Sequence, residues 1–180
     1  FGQGYSLNTM QATSNFATIA NDGVRVPPTV IAGTSDSSGN YTPNKKQKAG
    51  RVVSAATAKQ MRTMMETVVS AQGTAPTAAI TGYRVAGKTG TAQRIDDTCG
   101  CYRGYTASFI GFAPADKPAY VINVTIQDPK GMHWGGALGG PVFKEVMSFV
   151  LQSQGIAPTQ EKVKKVALNE AQLNAKKKVL

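Results

Sequence analysis

Residues 84–94, RVAGKTGTAQR, place a lysine, two threonines and two glycines in a stretch that otherwise resembles a short apolar strand. A strand in a sheet would ordinarily carry bulky side chains here, and glycine weakens it. A cation, two hydroxyls and a glycine in their place make Lys88, Thr89, Gly90 and Thr91 candidates for a role other than packing. Strict alternation puts Lys88 and Gly90 on one face and both threonines on the other. We predict an edge strand with a local twist at Gly90, which would bring the four residues to one pocket.

The segments that follow this strand predict a sheet. Residues 106–113 and 119–127 are rich in Phe, Ile, Val and Thr, and the short turn PADKP joins them. This pattern indicates an antiparallel hairpin. With the strand at Lys88 and apolar helices before and after it, the sequence predicts an α+β fold in which helices cover a mostly antiparallel sheet.

Three helices are predicted from capping residues and apolar periodicity. Asn8 is the expected N-cap of the first helix, which should end near Gly23, and Ser54 is the expected N-cap of the second. Pro141 is expected at the start of the third helix, after a flexible glycine-rich connection over residues 128–140. For the second helix we predict a core face of Ala58, Met61, Met64, Met65, Val68 and Val69.

Composition limits the class of protein. The chain has 180 residues, 41% of them hydrophobic, which is enough for one globular domain with a core. It has no apolar run long enough to span a membrane and no charged-then-apolar leader, so an anchor is expected in a segment outside it. Lys and Arg outnumber Asp and Glu by 20 to 10, but the basic clusters lack interleaved aromatic residues, and no nucleic-acid-binding motif occurs. We therefore predict no nucleic-acid partner, and a basic tail over residues 156–180.

The cysteine and histidine content argues against a metal site. Cys99 and Cys101 are the only cysteines, and His133 is the only histidine. A zinc site would need further ligands, so the open alternatives for the cysteines are a small disulfide ring, which Gly100 permits, or two free thiols. His133 and Trp134 lie in a glycine-rich loop, where ordinary packing is the default interpretation and a position at a pocket rim is the alternative.

Lys-Thr-Gly alone is a weak pattern, but its surroundings are specific. The tripeptide is a signature of penicillin-binding proteins and serine β-lactamases, alongside Ser-x-x-Lys and Ser-Asp-Asn. FGQGYSLNTMQATSNFATIANDGVRVPP, GTAPTAAITGYRVAGKTGTAQ and YTASFIGFAPADKPAYVINVTIQDP together resemble the C-terminal part of the transpeptidase domain of class B penicillin-binding proteins. The resemblance covers about residues 1–152, and TCGCYRG is similar to the actinobacterial, division-associated members. Residues 1–155 are thus expected to be the C-terminal part of that domain.

The resemblance implies roles for the four residues of the unusual strand, and acyl-transfer chemistry agrees with them. An ammonium beside a serine favours its ionisation and can move protons, so Lys88 suits proton transfer. The Thr89 hydroxyl would bind the carboxylate of a D-alanyl-D-alanine terminus. The Thr91 N–H would be one oxyanion donor, with its hydroxyl near the same carboxylate. Gly90 would let a peptide lie along the strand edge.

The nucleophile of such a site is absent from this sequence. No serine is followed three positions later by lysine. Ser6-Leu7-Asn8 matches Ser-x-Asn in letters, but it stands at the entry of the first helix, so we interpret Ser6 and Asn8 as capping residues. We expect the chain to be a fragment, inactive alone, that needs the N-terminal remainder of the same polypeptide.

The resemblance implies a serine-type peptidoglycan D,D-transpeptidase, acting on stem peptides during cell-wall synthesis and cell division and acylated by β-lactams. It implies no metal or organic cofactor, divisome proteins as partners, and a place at the extracytoplasmic face of the cell membrane through an N-terminal anchor. The alternatives are a D,D-carboxypeptidase or β-lactamase relative and a non-catalytic scaffold module. The Gly-Gln-Gly helix entry favours the class B transpeptidase over its enzymatic relatives.

Overall fold

A three-stranded antiparallel sheet organises the chain, and helices pack on both of its faces. Its central strand, Cys101–Ala113, pairs with Ala86–Asp96 on one side and with Tyr120–Gln127 on the other. The computed structural model describes residues 3–4, 6–45 and 47–159. The elements are α1 (Thr9–Ala20), β1 (Val24–Arg25), β2 (Gly33–Ser35), β3 (Tyr41–Pro43), β4 (Gly50–Arg51), α2 (Ala55–Thr67), a 3₁₀ turn (Pro76–Ala78), β5 (Ala86–Asp96), β6 (Cys101–Ala113), β7 (Tyr120–Gln127) and α3 (Gly135–Ser153).

The first two helices begin where the sequence predicts. The Asn8 side chain accepts a hydrogen bond from the Gln11 backbone N–H, and the Gln11 side chain accepts one from the Asn8 N–H, which makes a capping box. The Ser54 hydroxyl accepts a hydrogen bond from the Thr57 N–H. Each cap satisfies N–H groups that have no partner within the helix. Ser6 is not part of the capping box, so its predicted capping role is wrong.

The predicted hairpin and the strand at Lys88 are confirmed. β6 pairs with β7 from Thr106↔Gln127 to Ala113↔Tyr120, and β5 pairs with β6 on the other side. The β5–β6 register runs without interruption from Ala86↔Phe112 to Gln93↔Tyr105, and it shifts only beyond Gln93. The predicted irregularity at Gly90 is therefore wrong. Within the described residues β5 is an edge strand, as expected.

One face of the sheet packs against α3. Phe109 of β6 and Phe143, Met147 and Leu151 of α3 are fully buried there. The Phe109 and Phe143 rings meet edge to face with centroids 4.9 Å apart, a favoured aromatic geometry. This is the larger of two hydrophobic clusters in the described part of the chain.

α3 starts six residues earlier than Pro141, so the prediction of a flexible connection up to residue 140 is wrong for its last part. Gly135 and Gly139 lie against Ser108 and Phe109 of the sheet so closely that a Cβ would collide, at Gly135 with the strand backbone and at Gly139 with the Phe109 Cβ. The helix can lie this close because its first turns carry no side chains on that surface. Two further glycines, Gly136 and Gly140, contact residues 74–78 in the same way.

The opposite face packs against α1 and α2 around Met65, Ala86, Phe112 and Ala115. The predicted core face of α2 is correct for Ala58, Met65 and Val69, which are buried, and Val68 packs partly buried against the α3-face cluster. Met61 and Met64 are 37% and 56% exposed. α2 contacts α1 and the edge strand β5, so the described neighbours cover only a narrow stripe of it.

Cys99 and Cys101 form a disulfide in the β5–β6 turn, which decides between the two alternatives for these cysteines. After α3 the chain remains attached to the core, because Ile156 packs on the α3-face cluster and its carbonyl accepts a hydrogen bond of 2.6 Å from the Tyr83 hydroxyl. Most of the predicted basic tail, residues 160–180, lies outside the described residues. No helix in the described part of the chain is long and apolar enough to cross a membrane.

Candidate active site at the free edge of β5

Lys88 and Thr89 point to opposite faces of the sheet but meet at its edge. Lys88 pairs with Ile110 on the α1/α2 face, and Thr89 pairs with Phe109 on the α3 face. The Lys88 Nζ donates a hydrogen bond of 2.9 Å to the Thr89 carbonyl and lies 3.5 Å from the Thr89 hydroxyl oxygen. The long lysine side chain thus reaches around the free edge. This reach, rather than a twist at Gly90, brings the ammonium beside Thr89.

The backbone of β5 presents hydrogen-bonding groups along the same edge. The Thr89 carbonyl accepts from Lys88 Nζ, and the Gln93 N–H donates to Gln3 Oε1 at 3.2 Å. In an antiparallel ladder the N–H and C=O of a residue point to one side, and every second residue repeats that direction. Thr91 lies between these two residues in the unbroken register, so its N–H points to the free edge as well.

The Thr91 side chain lies at the start of α3. Its hydroxyl oxygen accepts a hydrogen bond of 3.2 Å from the Gly135 N–H, one of the helix N–H groups that have no partner within the helix. A hydroxyl has one proton and two acceptor positions, so this contact leaves its proton free for another acceptor. The nearby positive end of the helix dipole favours an anionic acceptor.

Thr89 has a second hydroxyl beside it that the sequence analysis did not single out. The Thr74 and Thr89 hydroxyl oxygens are 3.0 Å apart, and either can donate. Thr74 precedes the 3₁₀ turn and lies fifteen residues from Thr89 in sequence. No sequence signal in the segment TAPT would have indicated this pairing.

Gly90 has a packing role that the sequence analysis missed. A Cβ at this position would lie 2.5 Å from the Ser108 hydroxyl oxygen on β6. The absence of a side chain therefore lets the Ser108 side chain lie against the strand. The predicted role of Gly90, accommodation of a peptide along the edge, stays a prediction.

The sequence and the fold of the chain resemble those of known proteins. The profile described as "Penicillin binding protein transpeptidase domain" matches residues 1–148. The chain belongs to this transpeptidase family. It is 42% identical over 165 residues to penicillin-binding protein PbpB of Mycolicibacterium smegmatis, covering 86% of this chain and 26% of that protein. It is 36% identical over 168 residues to stage V sporulation protein D of Bacillus subtilis, covering 92% of this chain and 26% of that protein.

Solved structures show the same fold. Penicillin-binding protein 3 of Mycobacterium tuberculosis in complex with ampicillin is 40% identical, with a TM-score of 0.82, covering 90% of this chain and 38% of that chain. The transpeptidase domain of Burkholderia pseudomallei penicillin-binding protein 3 is 37% identical with a TM-score of 0.71, covering 89% of this chain and 46% of that chain. The described chain is therefore part of a transpeptidase domain, and it spans about a quarter of the curated relatives named above.

An aromatic stack borders the transpeptidase edge strand at the start of α3. The His133 ring stacks on Tyr105 with centroids 4.0 Å apart and planes 9° from parallel, and Trp134 packs against His133 at 4.8 Å. Tyr105 pairs with Gln93 of β5, so the stack lies two residues along from Thr91. His133 and Trp134 were candidates from the sequence, whereas Tyr105, which completes the stack, was not.

Two carboxylates near this end of the transpeptidase sheet are held in their charged form. Hydrogen bonds from Thr98 lower the pKa of Asp96. A hydrogen bond and the charge of Lys130, 2.6 Å away, lower the pKa of Asp128. Both carboxylates have partners of their own, and neither is within the Lys88–Thr91 group. Among the described residues no cluster of His, Cys, Asp or Glu side chains could hold a metal ion.

Proposed function

We propose that this chain forms the substrate-carboxylate and oxyanion wall of a serine-type peptidoglycan D,D-transpeptidase involved in cell division. The observation that carries the proposal is the convergence at one free strand edge of an ammonium, two threonine hydroxyls and an outward backbone N–H. These groups are the ones an acyl-transfer site needs in addition to its nucleophile.

In the proposed reaction, a serine of the same polypeptide attacks the carbonyl carbon of the penultimate D-alanine of a stem peptide. Lys88 stabilises the ionised serine and takes part in proton transfer, while the Thr91 N–H stabilises the developing oxyanion. The peptide bond breaks, and terminal D-alanine leaves with a proton on its nitrogen. An amine of a neighbouring strand then attacks the acyl-serine, forms the cross-link and returns the serine hydroxyl.

The names of relatives support this reaction class. Two relatives from Neisseria species, 36% and 33% identical, are named probable peptidoglycan D,D-transpeptidases, and the mycobacterial structures hold ampicillin or aztreonam. β-Lactams are therefore the proposed inhibitors of this protein. The β-lactam carboxylate would bind to Thr89 and Thr91 as the carboxylate of the stem peptide does.

We propose that the nucleophile lies in the N-terminal remainder of the same polypeptide. Two exposed apolar surfaces on opposite sides of the sheet support an additional partner segment. Val142, Val146 and Phe149 form one on α3, and Met61 and Met64 form the other on α2. The same proposal includes a membrane anchor, an extracytoplasmic location and divisome partners. It also divides the chain into a domain part over residues 1–155 and a basic tail over residues 156–180.

Penicillin acylation tests the function. The full-length protein is incubated with benzylpenicillin and its intact mass is recorded, and the modified peptide is then mapped. We expect one adduct, on a serine outside these 180 residues. Lys88→Ala should lower the acylation rate by about 10²–10⁴-fold, because it removes a proton-transfer group. Lys117→Ala, in the β6–β7 turn, is the matched control and should react at the wild-type rate.

Three results would contradict the proposal. A protein that is never acylated would favour the non-catalytic scaffold. An adduct that hydrolyses within seconds would favour a β-lactamase. Acylation of Lys88→Ala at the wild-type rate would overturn the role of Lys88.

A further inference from the structure

The segment that carries Thr74 is held rigidly beneath α3. The Ala75 N–H donates to the Val68 carbonyl at 2.9 Å, and the Thr77 hydroxyl donates to the Gly136 carbonyl at 2.9 Å. Gly136 lies so close to the Thr74 carbonyl that no Cβ would fit between them. Ala75 is fully buried, whereas the Thr74 side chain is exposed at the site. The packing therefore fixes the Thr74 backbone and leaves its hydroxyl facing Thr89.

The donors around Thr89 determine where its proton can point. The Lys88 ammonium has no acceptor position, so across the 3.5 Å that separates them it can only donate to the Thr89 oxygen. If Thr89 donates its one proton to a substrate carboxylate, the bond between the two hydroxyls must run from Thr74 to Thr89. Thr74 would then fill an acceptor position of Thr89, as the Gly135 N–H does for Thr91.

We propose that Thr74 is a positioning residue that orients the Thr89 hydroxyl towards the carboxylate of the acyl donor. The inference rests on the proposed function, and it adds a residue from outside the Lys-Thr-Gly strand to carboxylate recognition. On the α3 side, the Thr74 side chain contacts the Thr89 hydroxyl, and the Gly135 backbone N–H donates to the Thr91 hydroxyl. The side-chain contribution can be removed by substitution without displacing the backbone.

The test compares Thr74→Val, Thr74→Ser and Thr81→Val in the full-length protein. Valine keeps the shape of threonine without the hydroxyl, serine keeps the hydroxyl, and the exposed Thr81 is a control in the same segment. Acylation rate constants are measured with benzylpenicillin and with its methyl ester, which lacks the carboxylate charge. Urea unfolding midpoints report whether each variant is folded.

We expect Thr74→Val to lower the acylation rate with benzylpenicillin by about 5- to 10-fold, because it removes the one hydrogen bond that orients Thr89 towards the carboxylate. The rate with the methyl ester should change little. The preference for the carboxylate over the ester should fall by the same factor. Thr74→Ser and Thr81→Val should retain it. In a Thr89→Val background, Thr74→Val should have no further effect, because the hydroxyl that it orients is gone.

The outcomes separate this inference from the proposed function. If the wild type is acylated and Thr74→Val keeps its preference for the carboxylate, Thr74 does not position Thr89. Equal loss with both ligands and no recovery in Thr74→Ser would show a structural role only, and would also overturn the inference. A wild type that benzylpenicillin does not acylate would overturn the proposed function and this inference with it.

Discussion

The two faces of the sheet differ in how they are packed. On the α3 face, Phe109, Phe143, Met147 and Leu151 are fully buried, and glycines bring the helix against the strands. On the α1/α2 face, Phe112 is the one large side chain of the described cluster that is fully buried. That face also carries polar contacts, such as the hydrogen bond of 3.1 Å from the Asn123 amide to the Thr13 hydroxyl.

The site takes different components from the two faces. The α3 face supplies Thr89 and Thr91, whose hydroxyls bond to groups fixed under or at the start of the helix. The other face supplies Lys88, an exposed side chain that reaches its partner around the edge. We infer that packing holds the Thr89 and Thr91 hydroxyls, the proposed carboxylate ligands, in place, because close-packed protein interiors resist displacement. The exposed Lys88 ammonium can adjust its position.

The largest effect should follow from removing an aromatic ring on the α3 face. Phe143→Ala deletes a fully buried ring that packs edge to face on Phe109, so we expect it to lower the free energy of unfolding by about 3–5 kcal/mol. Lys144→Ala, at an exposed position of the same helix outside the Val142, Val146 and Phe149 surface, is the control and should change it by about 0.5 kcal/mol or less. Urea unfolding measures both. Equal changes in the free energy of unfolding would mean that burial of Phe143 on the α3 face does not stabilise the fold.

A smaller loss of stability with a larger effect on the site should follow from Gly135→Ala. The added Cβ would collide with the carbonyl oxygens of Ser108 and Gly90, and overpacking of this kind costs about 1–3 kcal/mol. The helix start must move away from the sheet, which breaks the Gly135–Thr91 hydrogen bond. We therefore expect slower penicillin acylation in protein that is still folded.

The control for Gly135→Ala is Gly50→Ala, where a Cβ would meet open space. It should leave both stability and acylation unchanged. If Gly135→Ala lost stability but kept the wild-type acylation rate, the contact between α3 and Thr91 would not contribute to the site.

The sequence could predict features that depend on neighbouring residues. Asn8 and Ser54 cap their helices within three residues, and the alternation in β6 and β7 specifies a hairpin. The start of α3 could not be found this way, because proline at the first helical position is a common pattern and glycines ordinarily interrupt helices. The spacing of Gly135 and Gly139, one helical turn apart, is the signal that could have indicated a closely packed helix.

Long-range contacts of the site were beyond sequence reasoning. Lys-Thr-Gly located the edge strand, and alternation along it is retained in the structure. The way in which Lys88 reaches Thr89 depends on a free edge and a long side chain, which alternation does not describe. The pairing of Thr74 with Thr89 and of Gly135 with Thr91 depends on where α3 and the 3₁₀ turn pack. The exposure of Met61 and Met64 likewise depends on which neighbours cover α2.

The smallest expected effect concerns the α1/α2 face and has the opposite sign. Ser14 on α1 is only 6% exposed, and within the described residues its hydroxyl has no hydrogen-bond partner. A buried hydroxyl without a partner destabilises the folded state, and alanine is the better helix former. We therefore expect Ser14→Ala to raise the free energy of unfolding by about 1 kcal/mol in urea unfolding.

Thr18→Val on the same helix is the matched control for Ser14→Ala. Thr18 is equally buried, but its hydroxyl donates to the Ser14 carbonyl at 2.8 Å, so removing that hydroxyl should give no gain in stability. A gain from Ser14→Ala alone would show that this face tolerates an unpartnered polar group, which the α3 face does not contain among its described side chains. A loss from Ser14→Ala in the full-length protein would contradict the prediction, because it would mean that the remainder of the polypeptide supplies Ser14 with a partner.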